Sequence, residues 1–476
     1  MNPVAIIGGG ITGLSAAFGL KQRGVPVRLF EAGDRLGGVI RTTREGGRVA
    51  EWGPNSILET SPLVSQLVSD LGLESRRCYS DPKAEARYIV RRHKLVAVPS
   101  SPWTFATTPL FSLQAKLRAM AEPFIGRPKQ DWEESVAQFV NRRLGQEFLD
   151  YAINPMVAGI YAGNPHQLSV IHAFPKLAAV EQKYRSLFIG QFLGARERKR
   201  RAEVSKANAP KFSFDDGLEV LVEALETHLS GDIELSSPVR SIDREGDGWS
   251  LLIDSPLGQK KVACSAVLIA TPAYRMAELK LQAPGLVDLS AFTEIHYTPV
   301  ATVTLGFKRA DVAHPLDGFG ALVPEKENLS ILGALFPSSL FPGRAPKGEV
   351  IITTYIGGAR APMLALRPEK ALVETALADL KLLLGITGEP TFQSVSVFRR
   401  AIPQYNIGYG RFKRLMSAVE SEAPGVFIAG HAREGTSVSD CIVSGHNVAE
   451  RIGGFLGVCG RLGRRSSAND EVLATN

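Results

Sequence analysis

The stretch Val4-Ala5-Ile6-Ile7-Gly8-Gly9-Gly10-Ile11-Thr12-Gly13 decides the fold of this 476-residue chain. Its four apolar residues predict a short buried strand, and residues 14–23 predict a helix that ends at Gly24. The spacing Gly8-x-Gly10-x-x-Gly13 predicts a dinucleotide-binding turn, because its glycines permit a tight turn, close approach of a pyrophosphate and close packing of the helix on the strand. The pyrophosphate then lies at the helix N-terminus, near Ile11 and Thr12, where free N–H groups favour anions.

A second apolar run, residues 25–30, predicts the next strand, and it ends at Glu31, 18 residues after Gly13. In dinucleotide-binding folds a carboxylate at this place accepts hydrogen bonds from the adenosine ribose hydroxyls. Because a carboxylate repels a 2′-phosphate, NADP is disfavoured, and NAD and FAD both remain. The combination of strand, turn, helix, strand and acidic residue is far more specific than an isolated glycine motif.

The composition is that of a globular protein with a large core, with 44% hydrophobic and 22% charged residues. It excludes a largely disordered chain and a collagen-like repeat. The length predicts about two to four structural units. The net charge of +7 is small for this length and does not indicate a nucleic-acid-binding protein.

The cysteine pattern and the N-terminal sequence predict a cytoplasmic protein. Cys78, Cys264, Cys441 and Cys459 are widely spaced, which indicates neither a disulfide framework nor a thiolate zinc site. The eight histidines show no metal-ligand spacing. The chain opens directly as a strand, without a basic segment, a cleavage site or an apolar run of about 18 residues, so we expect no export signal and no membrane span.

The segment that begins at Glu31 separates FAD from NAD through a family resemblance. Residues 31–42, Glu-Ala-Gly-Asp-Arg-Leu-Gly-Gly-Val-Ile-Arg-Thr, resemble the extended FAD motif of the amine oxidase, phytoene desaturase and protoporphyrinogen oxidase flavoproteins. The resemblance implies FAD, with an arginine, Arg35 or Arg41, offsetting phosphate charge. It assigns cofactor contacts to Ala32, Arg35, Gly37, Gly38 and Val39 and, near the isoalloxazine ring, to Gly53, Pro54, Asn55 and Ser56.

In this superfamily the FAD-binding domain is discontinuous, and two downstream regions match its later segments. Residues 218–228 predict an amphipathic helix, residues 249–254 and 262–269 predict strands, and the resemblance places the adenine near the Val239 backbone. Residues 426–430 predict a buried strand and residues 441–453 a helix, and Thr436, Ser437 and Val438 before it match the last flavin contact of the family. Cys441 does not match a covalent attachment site, so a noncovalent flavin is expected.

Three segments narrow the resemblance to the porphyrinogen oxidases, which comprise protoporphyrinogen and coproporphyrinogen III oxidases. They are residues 87–90, 159–165 and 331–346. The resemblance implies six-electron oxidation of a porphyrinogen to a porphyrin in haem biosynthesis, with O2 as acceptor, hydrogen peroxide as product and no dedicated catalytic acid or base. It assigns Arg87 to a substrate propionate, Gly159 to the pyrrole N–H groups and Tyr355 to the cavity wall, where relatives usually carry an aliphatic residue or methionine.

Several alternatives stay open at this point. Protoporphyrinogen IX carries two propionates and coproporphyrinogen III carries four, and Arg87 favours the former slightly. Another amine-oxidase-like enzyme has no support outside the shared FAD motifs. A flavin-binding scaffold without turnover is disfavoured by Arg87 and Gly159. A homodimer and a membrane surface are further partners that the sequence leaves open.

The resemblance predicts an α/β fold with three domains. A discontinuous Rossmann-like FAD domain takes residues 1–75, 206–275 and 416–458, and a mixed-sheet substrate domain takes residues 76–95 and 276–415. Residues 96–205 predict a mostly helical domain in which apolar residues are interleaved with Lys116 and Arg118; a membrane-facing helix and an ordinary core-facing helix explain that pattern equally well. The basic run 196–201 allows a lipid contact, and the polar tail 460–476 is expected to be disordered.

Overall fold

The computed structural model describes residues 2–126, 132–190, 193, 209–282 and 288–457. In chain order the strands are β1 (Val4–Ile7), β2 (Val27–Phe30), β3 (Thr42–Glu45), β4 (Arg48–Glu51), β5 (Ile57–Leu58), β6 (Arg77–Tyr79), β7 (Ala86–Arg91), β8 (Lys94–Ala97), β9 (Lys211–Phe214), β10 (Ile233–Glu234), β11 (Val239–Glu245), β12 (Gly248–Ser255), β13 (Gly258–Cys264), β14 (Ala266–Ile269), β15 (Lys280–Gln282), β16 (Tyr297–Lys308), β17 (Gly318–Leu322), β18 (Ile331–Leu335), β19 (Glu349–Gly357), β20 (Phe392–Pro403) and β21 (Val426–Ile428). The helices are α1 (Ile11–Gln22), α2 (Pro62–Asp70), α3 (Pro102–Thr107), α4 (Leu113–Met120), α5 (Val136–Arg143), α6 (Gln146–Phe148), α7 (Asn154–Tyr161), α8 (Val170–Ala173), α9 (Pro175–Tyr184), α10 (Glu219–His228), α11 (Ala273–Met276), α12 (Pro337–Leu340), α13 (Glu369–Leu384), α14 (Gly410–Glu422) and α15 (Val438–Phe455).

A parallel sheet with strand order β10-β2-β1-β14-β21 forms the first layer. Its strands come from distant parts of the chain, since β1 pairs with both β2 and β14, and β14 pairs with β21 near the C-terminus. The strand order reverses between β1 and β14, because β2 lies on one side of β1 and β14 on the other. In doubly wound sheets such a reversal opens a ligand crevice at the carboxyl ends of the strands.

The sequence prediction of one strand over residues 262–269 is wrong, because two strands of different sheets meet there. β13 pairs with β12, whereas β14 pairs with β1. The chain changes partner at Ser265, whose backbone N–H donates to the Pro3 carbonyl. Only Ser265 interrupts the apolar run 262–269, so the run does not reveal the change of sheet.

Helices α1, α10 and α15 pack on one face of the parallel sheet, and the antiparallel pairs β11-β12 and β12-β13 cover its other face. Side chains alternate accordingly: Val4 and Ile6 join the helices, whereas Ala5 and Ile7 join a core that contains Trp249. Helices α1 and α15 approach closely at Gly445, where an added Cβ would lie 2.6 Å from the Thr12 carbonyl oxygen.

A mixed sheet with strand order β20-β16-β19-β18-β17-β7-β8 forms the second large layer. Only β17 and β7 pair in parallel within it. Helix α13 packs on one face. A row of five residues from adjacent strands lies on the face opposite α13. Each residue pairs with the next across the sheet, in the order Thr302, Tyr355, Gly333, Leu322 and Ile89.

Helices α3 to α9 form a third part, which contacts that row through α7. Its interior holds a charged cluster: Arg143 is fully buried and donates to Glu122, to Glu181 and to the Ile125 carbonyl. Arg142 joins this cluster through Glu181. Among the residues that the structure describes, no helix combines the length and the apolar character needed to cross a membrane.

Two sequence-based expectations lie outside the described residues. They concern the basic run 196–201 and the polar tail 460–476.

Candidate cofactor and substrate site

The glycine turn between β1 and α1 is tight at one end and open at the other. A Cβ added at Gly13 would lie 2.0 Å from the Gly8 carbonyl oxygen, so only glycine fits there. At Gly10 an added Cβ would meet nothing within 4 Å. Gly10 is also the N-cap of α1 and provides no side-chain hydrogen bond to the first turn, which contains Ile11 and Thr12. The turn therefore presents N–H groups toward open space, as a pyrophosphate requires.

Glu31 connects the end of β2 to this turn. Its carboxylate accepts hydrogen bonds from the backbone N–H groups of Gly9 at 2.7 Å and Gly33 at 2.8 Å. The Glu31 carbonyl accepts from the N–H of Ser237, which brings the chain before Val239 against the same edge. The structure thus places Glu31, Ala32 and Val239 together, beside the turn.

The second glycine loop lies directly on the first. The Gly37 N–H donates to the Gly9 carbonyl at 2.9 Å, and φ angles of +92° at Gly37 and +59° at Gly38 favour glycine at both positions. The loop continues to Gly53, where an added Cβ would lie 2.6 Å from the Val39 carbonyl oxygen. These contacts hold Val39 and Gly53 beside each other.

Arg35 braces this loop from within. Its guanidinium donates to the carbonyls of Leu36, Gly38 and Ile40. Burial and then the neighbouring Arg41 charge lower the pKa of Arg35. Arg41 itself lies over the Trp52 ring at 3.9 Å. Because the donors of Arg35 hold backbone carbonyls, its observed role is to fix the loop around Gly37 and Gly38.

Asn55 lies on the wall between this loop and the mixed sheet. Its amide nitrogen and oxygen are both buried and lack a hydrogen-bond partner among the described residues. The Asn55 amide lies close enough to the Tyr355 hydroxyl to lower its pKa, although burial and the Glu51 charge raise that pKa overall. The Asn55 amide keeps donor and acceptor capacity beyond this one contact, which fits a site that a polar heterocycle fills, so the residues present fit a bound flavin.

The N-terminus of α15 closes the same region. Ser437 is the N-cap, and it forms a reciprocal capping box with Asp440, the third helical residue. The Ser439 hydroxyl donates to the Leu58 carbonyl at 2.5 Å, which holds Thr436, Ser437 and Val438 near the end of the segment that contains Pro54 and Ser56.

Sequence reasoning missed three residues at the crevice. Among the residues that the structure describes, the Thr271 hydroxyl is buried without a hydrogen-bond partner, beside Gly8. Burial lowers the pKa of His431 to about 4. The Tyr297 hydroxyl accepts from the Ala273 N–H and lies 3.0 Å from His431 Nε2, within hydrogen-bond distance. Both Thr271 and His431 follow a parallel strand, which is the signal that could have found them.

The three predicted substrate residues share one face of the mixed sheet. Tyr355 packs against an apolar group made of Ala158, Ala162, Val300 and Leu332. Gly159 of α7 lies on β17, where an added Cβ would come within 2.7 Å of a Leu322 methyl group. Arg87 is exposed and lies two residues before Ile89 on β7. Strand β7 is three strands from the strand of Tyr355, a lateral spacing of about 14 Å.

The comparisons with known proteins agree with this geometry. The family model of flavin containing amine oxidoreductases matches residues 11–453. The chain belongs to this family. It is an oxidoreductase, and the cofactor of the family, FAD, is its cofactor. The fold is the mixed α/β fold of the FAD-dependent oxidoreductases.

Several relatives of this family member cover nearly the whole chain. Protoporphyrinogen oxidase 2 of Arabidopsis thaliana is 34% identical over 96% of this chain and 94% of its own length. Coproporphyrinogen III oxidase of Bacillus subtilis is 31% identical, over 93% and 96%. A solved structure from Exiguobacterium sp. 255-15, provisionally named a protoporphyrinogen oxidase, is 26% identical with a TM-score of 0.80 and covers 96% of this chain and 99% of its own.

Proposed function

We propose that the protein oxidises a porphyrinogen to the corresponding porphyrin in haem biosynthesis. Three molecules of O2 take up the six electrons and six protons and leave as three molecules of hydrogen peroxide. The observation that carries the proposal is the face shared by Tyr355, Gly159 and Arg87, which has an apolar wall near the cofactor loop and a cation farther along the sheet. The names of the full-length relatives support the same reaction.

Each part of this face has a physical role. The chemistry that FAD supplies when bound is two-electron oxidation of the substrate and transfer of the electrons to O2. The apolar wall at Tyr355 holds the macrocycle and excludes water. At Gly159 the lack of a side chain keeps the helix close to β17. Gly159 is also exposed, so its backbone carbonyl is accessible to the pyrrole N–H groups. The planar guanidinium of Arg87 pairs with a propionate.

The cofactor contacts are part of the proposal. The pyrophosphate lies over Gly8, Gly10 and Gly13, the ribose on Glu31, and the flavin ring between residues 53–56 and residues 436–438. We propose noncovalent attachment, because Cys441 is buried within α15. The proposed FAD domain takes residues 1–75, 206–275 and 416–458, and the proposed substrate domain takes residues 76–95 and 276–415.

Protoporphyrinogen IX is the substrate that we propose, and coproporphyrinogen III is the second candidate. One observation favours the second. Burial and then the nearby Arg87 charge lower the pKa of Lys211, so the two cations lie close to each other. A second cation at this end of the site suits a substrate with additional carboxylates.

We also propose that helix α4 rests on a lipid surface in the cytoplasm. Leu113, Leu117 and Met120 recur at helical spacing and point outward, whereas Ala115 and Ala119 point inward. Phe124, just after α4, is 90% exposed. This arrangement is the reverse of an ordinary surface helix and suits a membrane interface, and the net charge of +7 favours anionic headgroups. Lys116 and Arg118 instead donate to carbonyls of the protein.

Porphyrin fluorescence against time tests the function. Purified protein with FAD is incubated in air with protoporphyrinogen IX and, in parallel, with coproporphyrinogen III. We expect oxidation well above the no-enzyme control and a higher kcat/KM for protoporphyrinogen IX. The opposite order selects the second candidate. Oxidation of neither substrate above the control overturns the proposed function and leaves the FAD-dependent fold.

A further inference from the structure

We propose that Arg344 is a positioning residue for the flavin-facing segment 52–56. The proposal rests on the proposed cofactor contacts of this segment and gives a role to Arg344, a residue of the segment 331–346 to which the resemblance assigned none. Arg344 lies between α12 and β19, in the part of the chain that carries the substrate face, and its side chain is buried to 1% exposure. It acts through the two elements that hold the ends of the segment.

The first end of the segment is Glu51, the last residue of β4. Its carboxylate accepts from the Thr42 hydroxyl at 2.7 Å and from the Leu218 N–H at 2.8 Å, at the N-terminus of α10. Arg344 Nη1 lies 3.5 Å from Glu51 Oε1, at ion-pair distance. Burial raises the pKa of Glu51, and the Arg344 charge acts against that rise. Arg344 thus supplies a positive charge that partly offsets the effect of burial on this carboxylate.

The second end of the segment is β5, which pairs with β9 through Ile57 and Phe212. Arg344 Nη2 donates to the Ser213 hydroxyl at 2.5 Å and to the Phe214 carbonyl at 3.2 Å, both on β9. One guanidinium therefore contacts the anchors of both ends of the segment. A planar group with several donors suits this task, and a single ammonium does not.

The segment between these anchors faces the substrate wall. Asn55 belongs to it and neighbours Tyr355, whose pKa also responds to the Glu51 charge. The backbone of Arg344 adds a further tie, since its carbonyl accepts from the Val49 N–H on β4. Arg344 consequently links the cofactor segment to the sheet that carries Tyr355 and fixes the distance between them.

The test compares the purified holoenzymes of Arg344→Met and Arg143→Met. Arg143 is the matched control, because it is also fully buried and bonded to carboxylates but lies in the helical part of the chain. The probes are the visible absorption spectrum of the bound flavin and the rate of FAD release on dilution, with thermal unfolding measured in parallel. These probes need no porphyrinogen, so they remain informative if the proposed reaction fails.

We expect both variants to unfold at lower temperature than the wild type. Only Arg344→Met should shift the flavin spectrum and release FAD about tenfold faster. In the porphyrinogen assay, the same variant should lower kcat more than it raises KM. A wild-type spectrum and release rate in Arg344→Met, together with a lowered unfolding temperature, would overturn the proposal and leave a purely structural ion pair.

Arg344→Lys keeps the proposal falsifiable where Arg344→Met does not fold. Lysine retains the charge opposite Glu51 but lacks the second arm toward Ser213 and Phe214. We expect a folded holoenzyme with an intermediate spectral shift and intermediate FAD release. A lysine variant that matches the wild type in both the flavin spectrum and the FAD release rate would contradict the role of the two-pronged guanidinium.

Discussion

At the scale of single residues, the site depends on polar groups that the fold buries without a local partner. Among the described residues, the Ser15 hydroxyl in α1, the Thr271 hydroxyl beside Gly8 and the Asn55 amide are such groups. Each unpaired buried group costs about 1 to 3 kcal/mol. A bound polar cofactor offsets this cost, so the same residues that weaken the apoprotein strengthen its affinity for FAD.

Replacement of Arg87 by alanine should raise KM and leave kcat nearly unchanged. The guanidinium is remote from the apolar wall and pairs with a carboxylate equally in the bound substrate and in the transition state. Loss of a charge-assisted hydrogen bond of about 1.5 to 3 kcal/mol predicts a rise of roughly tenfold to a hundredfold. Steady-state kinetics by porphyrin fluorescence measures both constants.

Arg87→Lys is the companion variant, since it keeps the charge and removes the planar fork. It should lie between the alanine variant and the wild type in KM. A loss confined to kcat in Arg87→Ala would refute the anchoring role.

Replacement of His431 by glutamine should flatten the acid side of the stability profile. The pKa of His431 lies near 4 in the folded protein against 6.5 for an ordinary histidine, because the ring is buried. Between these values the unfolded chain binds the proton and the folded chain does not, so acid favours unfolding by up to about 3 kcal/mol. Denaturant unfolding of the apoprotein from pH 7 to pH 4 measures the effect.

His166→Gln supplies the control, since His166 is exposed. Its profile should follow that of the wild type. Parallel profiles for the wild type and His431→Gln would show that His431 contributes nothing to the acid sensitivity.

At the scale of elements, the turn between β1 and α1 separates two kinds of glycine. Gly13→Ala places a Cβ against the Gly8 carbonyl and should destabilise the apoprotein by about 3 kcal/mol. Gly10→Ala meets open space and should change stability by less than about 0.5 kcal/mol, yet weaken FAD at least about tenfold. Chemical unfolding and FAD titration distinguish the two. Unaltered FAD affinity in Gly10→Ala would show that the pyrophosphate does not pass over this residue.

Helix α4 should lose its lipid affinity when its outer face becomes polar. Serine at Leu113, Leu117 and Met120 removes the exposed apolar stripe without touching the inward alanines. Sedimentation with anionic vesicles should fall about tenfold, while the unfolding free energy changes by less than about 0.5 kcal/mol. Leu257→Ser, at a fully exposed position in the β12–β13 turn, is the control. Equal sedimentation of the triple variant and the wild type would exclude α4 as the contact.

The elements also show how far a sequence alone can lead. Local patterns predicted β1, α1 and the end of β2, because the glycine spacing and the apolar runs are confined to neighbouring residues. The division at Ser265 was not predictable, since it depends on which distant strand each half meets. The outward direction of the apolar face of α4 was equally unpredictable. Apolar periodicity predicts a stripe along the helix, but it does not tell whether the stripe faces the protein or its surroundings.

At the site, spacing and family resemblance gave the glycines and Glu31, and the structure places them together as expected. The pairing of Arg344 with Glu51 was not predictable, because the two residues are far apart in the chain and each resembles an ordinary surface charge in the sequence. The sequence assigned no role to His431, because the histidines show no metal-ligand spacing. Its position at a strand end becomes visible only when β21 is placed beside β14.

At the scale of the whole molecule, FAD should stabilise the protein as one unit. The strands around the crevice come from distant parts of the chain, so the crevice exists only when the parallel sheet is complete. FAD at about 100 times its dissociation constant should add about 2.7 kcal/mol of stability. Thermal unfolding followed by circular dichroism and by flavin fluorescence should give one shared midpoint that rises with FAD. A midpoint independent of FAD would contradict this coupling.

The same strand order affects how the chain folds during its synthesis on the ribosome. The entirely apolar strand β1 is made before the other strands of its sheet, and β21, which completes the sheet, follows more than four hundred residues later. At ordinary rates of synthesis that interval is on the order of 20 to 90 seconds. During this interval the nascent chain exposes an incomplete sheet with an unpaired, apolar edge. We therefore expect chaperones to bind the nascent chain.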